Sequence, residues 1–372
     1  MPILAALLAV TFYSDVLPIL ERRCLACHQT GEAAPMSLAS FRETRPFARA
    51  IRDAVTSQSM PPGGALPADE LAILRQWAAR PVEGDSPRAA VLPVKPTVRA
   101  DLTLRMATPF SVPASQTIDY QYFILSTGLA QARWVQAIEI RPGNRRVVHH
   151  AVAFVRTARS EFLRGGRLSV EDEVLATYLP GEGVLRLPPG QAKLLPAGAE
   201  LVLQLHYTSG AESETDQTEI LIEFGPTPLE RVYTLSVAQG DFSIPPFAKA
   251  HPVTAEFTVQ TGVRILAVTP HMHLRGRSLR VLAADTLILD LPRYRFDWQL
   301  RQPLRKPMQL ARGETIRLEA TFDNSRNNPR NPDPSATVRW GEQSWQEMLV
   351  AFIDVAIPAA WPPEEIYRPK RF

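Results

Sequence analysis

Cysteine is nearly absent. Cys24 and Cys27 are the two cysteines in 372 residues, so no disulfide framework can hold the chain and its domains must stand on packing. Long apolar runs are missing too: nothing reaches the ~18 residues needed to cross a bilayer. The longest, residues 1–10 (MPILAALLAV), has signal-peptide length but no basic segment before it and no clear small-residue cleavage site, and reads as a weak or truncated leader. An excess of charge of one sign is also lacking. Lys+Arg 41 against Asp+Glu 38 leave a formal +3, too little for an electrostatic footprint on nucleic acid. With 45% hydrophobic and 21% charged residues, long disorder and fibrous classes are excluded. Proline, by contrast, is in excess: 34 of 372 is nearly twice the usual ~5%. Proline stays out of helix interiors and central strands, so many loops and strand ends follow.

At roughly 150 residues per domain the length allows two or three folded units. Residues 11–80 carry helical spacing. Ser14 or Asp15 can cap a helix through Val16, Ile19 and Leu20; Phe47, Ile51 and Val55 recur on one face; Pro67, Asp69 and Glu70 open a helix whose Leu71, Leu74 and Trp77 share a side. A small helical domain of this kind struggles to build a core unaided. Residues 81–98, with four prolines and no period, form an extended linker. Beyond it the pattern changes to alternation, as in Leu201, Leu203 and Leu205 against Val202, Gln204 and His206, or Ile316, Leu318, Ala320 and Phe322 against Arg317, Glu319 and Thr321. Turn signals separate these runs at short intervals. The expected fold class is therefore multidomain: a small all-α domain, then two all-β sandwiches over residues 99–228 and 229–372.

Cys24-Leu25-Ala26-Cys27-His28 is C-x-x-C-H, in which two thiols form thioethers to haem vinyl groups and the following His ligates the iron. A zinc site would need ligands that no further cysteine can supply, and a redox dithiol is the competing reading. The sixth ligand should be a thioether or a second imidazole. Met60, in the proline-braced loop SQSMPPGG, is the favoured candidate, and Met36 in APMSL the runner-up. The helical segment is similar to a class I cytochrome c over residues 11–80, with haem filling the centre of the small domain.

The remaining histidines are patterned. His271-Met272-His273 is H-x-H, and in a strand a period of two sets both imidazoles on one face. Met348, in SWQEMLVAF, can add a thioether, and two imidazoles with a thioether suit copper. His149 and His150 are neighbours and would point to opposite faces of a flat strand, so sharing a metal needs a bulge or the use of different ring nitrogens. His206, ending an alternating strand, can complete a three-imidazole site, while His251 reads as structural.

These contexts, VVHHAVAF, LQLHYTSG, TPHMHLRGRSLRV and WQEMLVAF, resemble the copper type II, ascorbate-dependent monooxygenases, the family of peptidylglycine α-hydroxylating and dopamine β-monooxygenases. The resemblance covers about residues 100–357. It implies two jelly-roll domains facing a solvent cleft, each with one copper: His149, His150 and His206 at an electron-transfer site, and His271, His273 and Met348 where O2 binds and a substrate C–H bond is hydroxylated. It also implies a small organic substrate, and ascorbate or a redox protein as donor, with the fused c-type haem as a route for electrons. Departures are present. Where peptide-amidating members carry an Arg before H-x-H this chain has Thr269, and Val350 and Phe352 stand where they have Asn and Tyr, so a peptide C-terminal glycine is not the expected substrate. Covalent haem attachment in bacteria implies a periplasmic or extracytoplasmic place. The competing expectation is an exported cytochrome whose sandwich stores or carries copper.

Overall fold

The computed structural model describes residues 10–61, 65–94, 96–158, 160 and 173–367; of the expected leader, all but Val10 lies outside them. No described helix is long and apolar enough to cross a membrane. The chain divides into two compact units, with the break between Pro96 and Thr97.

The first unit is helical. A single π-type turn, Phe12–Val16, runs into the helix Leu17–Arg23, which carries Pro18 in its first turn, where no N–H is needed. The cap differs from the sequence expectation: Thr11 takes the N-cap position, and the Asp15 carboxylate reaches back to accept from its N–H (2.7 Å) and hydroxyl (3.2 Å). Short helices at Phe41–Thr44 and Ala48–Thr56 follow, the first N-capped by Ser40, whose hydroxyl accepts from Glu43 N–H and donates to the Glu43 carboxylate. The helix Ala68–Ala79 closes the unit, and its Glu70 pairs with Arg23 at 2.9 Å and Arg22 at 3.2 Å. Leu17, Leu20, Leu25, Leu74 and Trp77 are fully buried between these elements.

The second unit is built on antiparallel strands around two cores. One four-stranded sheet has the order Gln121–Ser126, Glu200–Tyr207, Val148–Arg156, Val174–Tyr178; another has the order His251–Thr258, Thr315–Phe322, Gly276–Ala283, Thr286–Leu291. Behind both runs one continuous nine-stranded sheet. Its continuity depends on a short parallel pairing, Glu230 with Gln191 and Arg231 with Ala192, which joins strands from either side of residue 228. Alternation decides which side chains enter the cores. Leu201, Leu203 and Leu205 join the first core, and Ile316, Leu318, Ala320 and Phe322 the second. Val202, on the opposite face, packs with Val152, Phe154, Met348, Val350 and Phe352 in an apolar block between the two halves.

Beside that block lies a buried ionic group. Lys193 is 2% exposed; its Nζ donates to the Val174 carbonyl (2.6 Å) and to Thr234 Oγ1 (2.5 Å), and lies 4.0 Å from Asp354. Arg301 binds Asp354 at 2.7 Å, and Arg231 binds Glu173 at 2.8 Å. Lys193 comes from one half, and Thr234 and Asp354 from the other. Lys193→Met is expected to cost about 3 kcal/mol, because one member of a buried pair is left behind; Arg301 still neutralises Asp354 and keeps the loss at the lower end for such cuts. The midpoint of urea unfolding at constant slope reads it.

Candidate metal centre

The first set of imidazoles is assembled by a strand irregularity. In the pairing of Val148–Arg156 with Glu200–Tyr207, Val148 lies opposite Tyr207 and His150 opposite His206, so the register skips His149. That bulge lets both neighbours approach one point. The ligand atoms of His149, His150 and His206 lie within 4.8 Å of one another, a group able to hold one metal ion. His149 Nδ1 stands 3.1 Å from His150 Nδ1, a hydrogen-bond distance at which one ring nitrogen donates and the other accepts.

The second set straddles a strand end. The strand Val263–His271 pairs His271 with Val350, and the same antiparallel register, continued, sets His273 level with Met348. The H-x-H is thus not wholly on a strand, as alternation alone predicts. The ring centroids of His271 and His273 are 5.2 Å apart. His271 Nδ1 meets Gln299 Oε1 at 2.5 Å and His273 Nδ1 meets the Gln346 carbonyl at 3.3 Å. Each oxygen can only accept, so the proton sits on Nδ1 and the lone pair on Nε2. Met272, between them, is buried in the second core. Gly276 is needed close by, since a Cβ there would fall 2.7 Å from Tyr294 and 2.9 Å from Met272.

Burial governs the protonation of both sets. His150 and His273 are held far below the usual imidazole range, by burial first and by neighbouring imidazoles next; burial lowers His206 to about 3 and His271 to about 4. All four are neutral at pH 7, the state a metal requires. Nitrogens of His150 (Nε2), His206 (Nδ1) and His273 (Nε2) are buried without any hydrogen-bond partner. Orphaned buried acceptors are costly and rare, and a bound cation satisfies them, so these residues fit a metal.

Instead of facing each other across a solvent cleft, the two sets are contiguous. His150 and His271 have ring centroids 6.3 Å apart, and the Tyr120 ring lies 5.0 Å from His206, 5.5 Å from His150 and 6.2 Å from His273. Phe296 is placed between them, 5.3 Å from His149 and 6.1 Å from His273. Tyr120, Tyr294, Phe296, Asp297 and Gln299 went unnoticed in the sequence. Nothing periodic marks them; the density of aromatics in RYRFDW is the one signal available.

Glu347 ties the second set together. Its carboxylate accepts from the N–H groups of Arg275 (2.6 Å), His273 (2.9 Å) and Met348 (3.3 Å). Burial raises its pKa to about 8 against those stabilising contacts. Glu347→Ala would leave three N–H groups buried and unpaired at ~1–3 kcal/mol each; relaxation admits some water, and a loss of about 4 kcal/mol in chemical denaturation is expected.

In the first unit, Cys24, Cys27 and His28 form a turn after the helix Leu17–Arg23, with Cys27 N–H and His28 N–H both donating to the Cys24 carbonyl (3.1 and 2.9 Å). The two thiols are not joined. Burial pushes Cys24 up to about 12, and burial also lowers His28 against a backbone bond at Met36. His28 Nδ1 is buried without a partner, an unmet need for a ring nitrogen in the C-x-x-C-H turn that is compatible with a bound group. Met36 packs on the same core as Cys24; Met60 is half-buried, its N–H donating to the Ala54 carbonyl at 3.3 Å.

No family model matches this chain, and no curated protein matches it. Among solved structures it is similar to the major capsid protein P2 of bacteriophage PM2, with 10% identity over 70% of this chain and 98% of that one and a TM-score of 0.28. It is also similar to PNGF-II, with 8% identity over 69% of this chain and 66% of that one and a TM-score of 0.34.

Proposed function

We propose that the protein is a copper-dependent monooxygenase that hydroxylates a C–H bond of a small organic substrate with O2. The observation that carries this reading is the convergence of five imidazoles from both halves of the second unit, with ring nitrogens buried and unpartnered. In this reading residues 99–228 supply His149, His150 and His206 to one copper, and residues 229–372 supply His271, His273 and Met348 to another. Cys24, Cys27 and His28 would hold one c-type haem in residues 11–80, with Met60 as the candidate sulfur ligand and Met36 as its competitor, and residues 81–98 would link the parts. Bound copper would supply O2 activation, and the haem one-electron transfer from ascorbate or a redox protein.

The chain's own residues do the rest. The neutral imidazoles offer lone pairs without first losing protons. Met348 contributes a soft thioether, which favours Cu(I) over zinc or magnesium. Val350 and Phe352, packed with Val152 and Phe154, exclude water from the Met348 side. A covalent haem would place the protein outside the bacterial cytoplasm.

Metal analysis tests the reading: one iron and two copper per chain are expected. Met348→Ile should abolish product while the three-imidazole copper stays. Product formation unchanged in that variant would overturn the oxygenase reading in favour of a copper carrier.

A further inference from the structure

We propose that residues 294–301 form one positioning element that sets the tautomers of His149 and His271 in opposite senses, so that the first presents Nδ1 and the second Nε2. The proposal rests on the reading of both as metal ligands.

The segment belongs to the second half of the unit, between the strands Thr286–Leu291 and Gln302–Leu310, yet it touches ligands of both sets. It is anchored at each end. Tyr294 Oη accepts from Met272 N–H (2.9 Å) and donates to the Met272 carbonyl (2.6 Å), holding the residue between His271 and His273. Arg301 binds the buried Asp354 at 2.7 Å and donates its N–H to Glu182 at 2.9 Å. Between the anchors, Phe296 stacks on His149 at 5.3 Å. Asp297 Oδ1 lies 3.5 Å from His149 Nε2, and its other oxygen is held by Arg330, with Arg295 at 3.7 Å. Gln299 is itself oriented, its Nε2 donating to the Phe296 carbonyl at 2.9 Å, which turns Oε1 toward His271 Nδ1.

The chemical consequence follows from which atoms can accept. A carboxylate or amide oxygen fixes the proton on the ring nitrogen it faces and leaves the lone pair on the other. For His149 the fixed proton is on Nε2, and the lone pair on Nδ1 faces His150 Nδ1 at 3.1 Å. For His271 the fixed proton is on Nδ1, and the lone pair is on Nε2. Partners of this kind orient ligating imidazoles, and their loss typically weakens metal binding ~10–100-fold.

The test has one readout that needs no metal. Long-range 1H–15N spectra of the metal-free full chain, labelled at histidine, should show His149 protonated at Nε2 and His271 at Nδ1. Asp297→Ala should mix the His149 tautomers and leave His271 unchanged; Gln299→Leu should do the reverse. In copper titrations each variant should weaken one of the two coppers ~10–100-fold, with Asp297→Asn and Gln299→Glu restoring much of the loss. The proposal is overturned if both rings carry the same tautomer, or if the Ala and Leu variants keep wild-type ring spectra. The expected tautomers in a protein that takes up no copper would support the positioning role and defeat the oxygenase reading instead. Asp297 is one-third exposed, so its variants should fold, and thermal unfolding checks this.

Discussion

His206→Leu is expected to remove metal from the three-imidazole group while leaving the metal-free fold at least as stable as before. A ligand contributes more than the partner that orients it, so copper affinity should fall by at least ~100-fold, the upper end of what second-layer changes cost. The stability side runs the other way. His206 Nδ1 is buried with no hydrogen-bond partner, and such a group costs ~1–3 kcal/mol. Leucine has a similar volume, needs no partner and would sit against the rings of Tyr120 and Phe296, 5.0 and 5.7 Å from the imidazole now present. A gain of about 1 kcal/mol in the metal-free protein is the expected result. Copper titration and urea unfolding of the same preparation measure both quantities. Affinity kept within threefold would show that no metal sits among these rings, and a large loss of metal-free stability would show that the imidazole is structural.

The second large effect is in pH. His150, His206, His271 and His273 have folded pKa values depressed below the usual imidazole value of ~6.5, chiefly by burial. As pH falls below ~6.5 the unfolded chain takes up protons that the folded chain refuses, so stability falls with acid. Raised carboxyls oppose this. Burial lifts Glu182 to about 7, Glu347 to about 8, and Glu173 above its ordinary value. Between pH ~5 and 6 Glu182 and Glu347 stay protonated when folded and ionise when unfolded, so their contribution favours the folded form as pH is lowered. The depressed imidazoles, His28 included, outnumber these carboxyls, so a net loss of stability with acid remains in that window. Below pH ~4.5 the unfolded carboxyls protonate as well and the compensation disappears. The fall should then steepen until the folded imidazoles begin to titrate. Urea unfolding of metal-free protein at pH 7, 5.5 and 4.25 should therefore show stability falling at each step. Equal stability at pH 5.5 and 4.25 would mean that the imidazoles are solvated. Copper binding at pH 6 should also release almost no protons from His206 and His271, because their folded values of about 3 and 4 leave none to displace.

Local features were legible in proportion to how local their causes are. A helical face through Val16, Ile19 and Leu20 and the strand faces of Leu201, Leu203 and Leu205 follow from backbone periodicity, and those residues are buried accordingly. The irregularity at His149 and His150 was legible as a need, since two neighbours cannot share a metal on a flat strand, and the skipped register supplies it. Other features had no local cause. Glu230 pairs with Gln191 in parallel, and no turn or alternation announces a junction between strands that far apart. Phe296 and Gln299 reach the imidazoles through a connection whose path depends on Tyr294 and Arg301 binding distant backbone and carboxylate.

By itself the sequence determined the elements and the supply of chemistry: a helical segment carrying C-x-x-C-H, a proline-broken stretch, then alternating strands bearing paired histidines, because helix and strand periods and ligand types are written within a few residues. The tertiary structure alone decided that two sheets join into one, that the two imidazole sets become neighbours, and which ring nitrogen carries each proton. Those outcomes depend on pairings between residues tens to hundreds of positions apart, whose energies exist only once the chain has closed on itself.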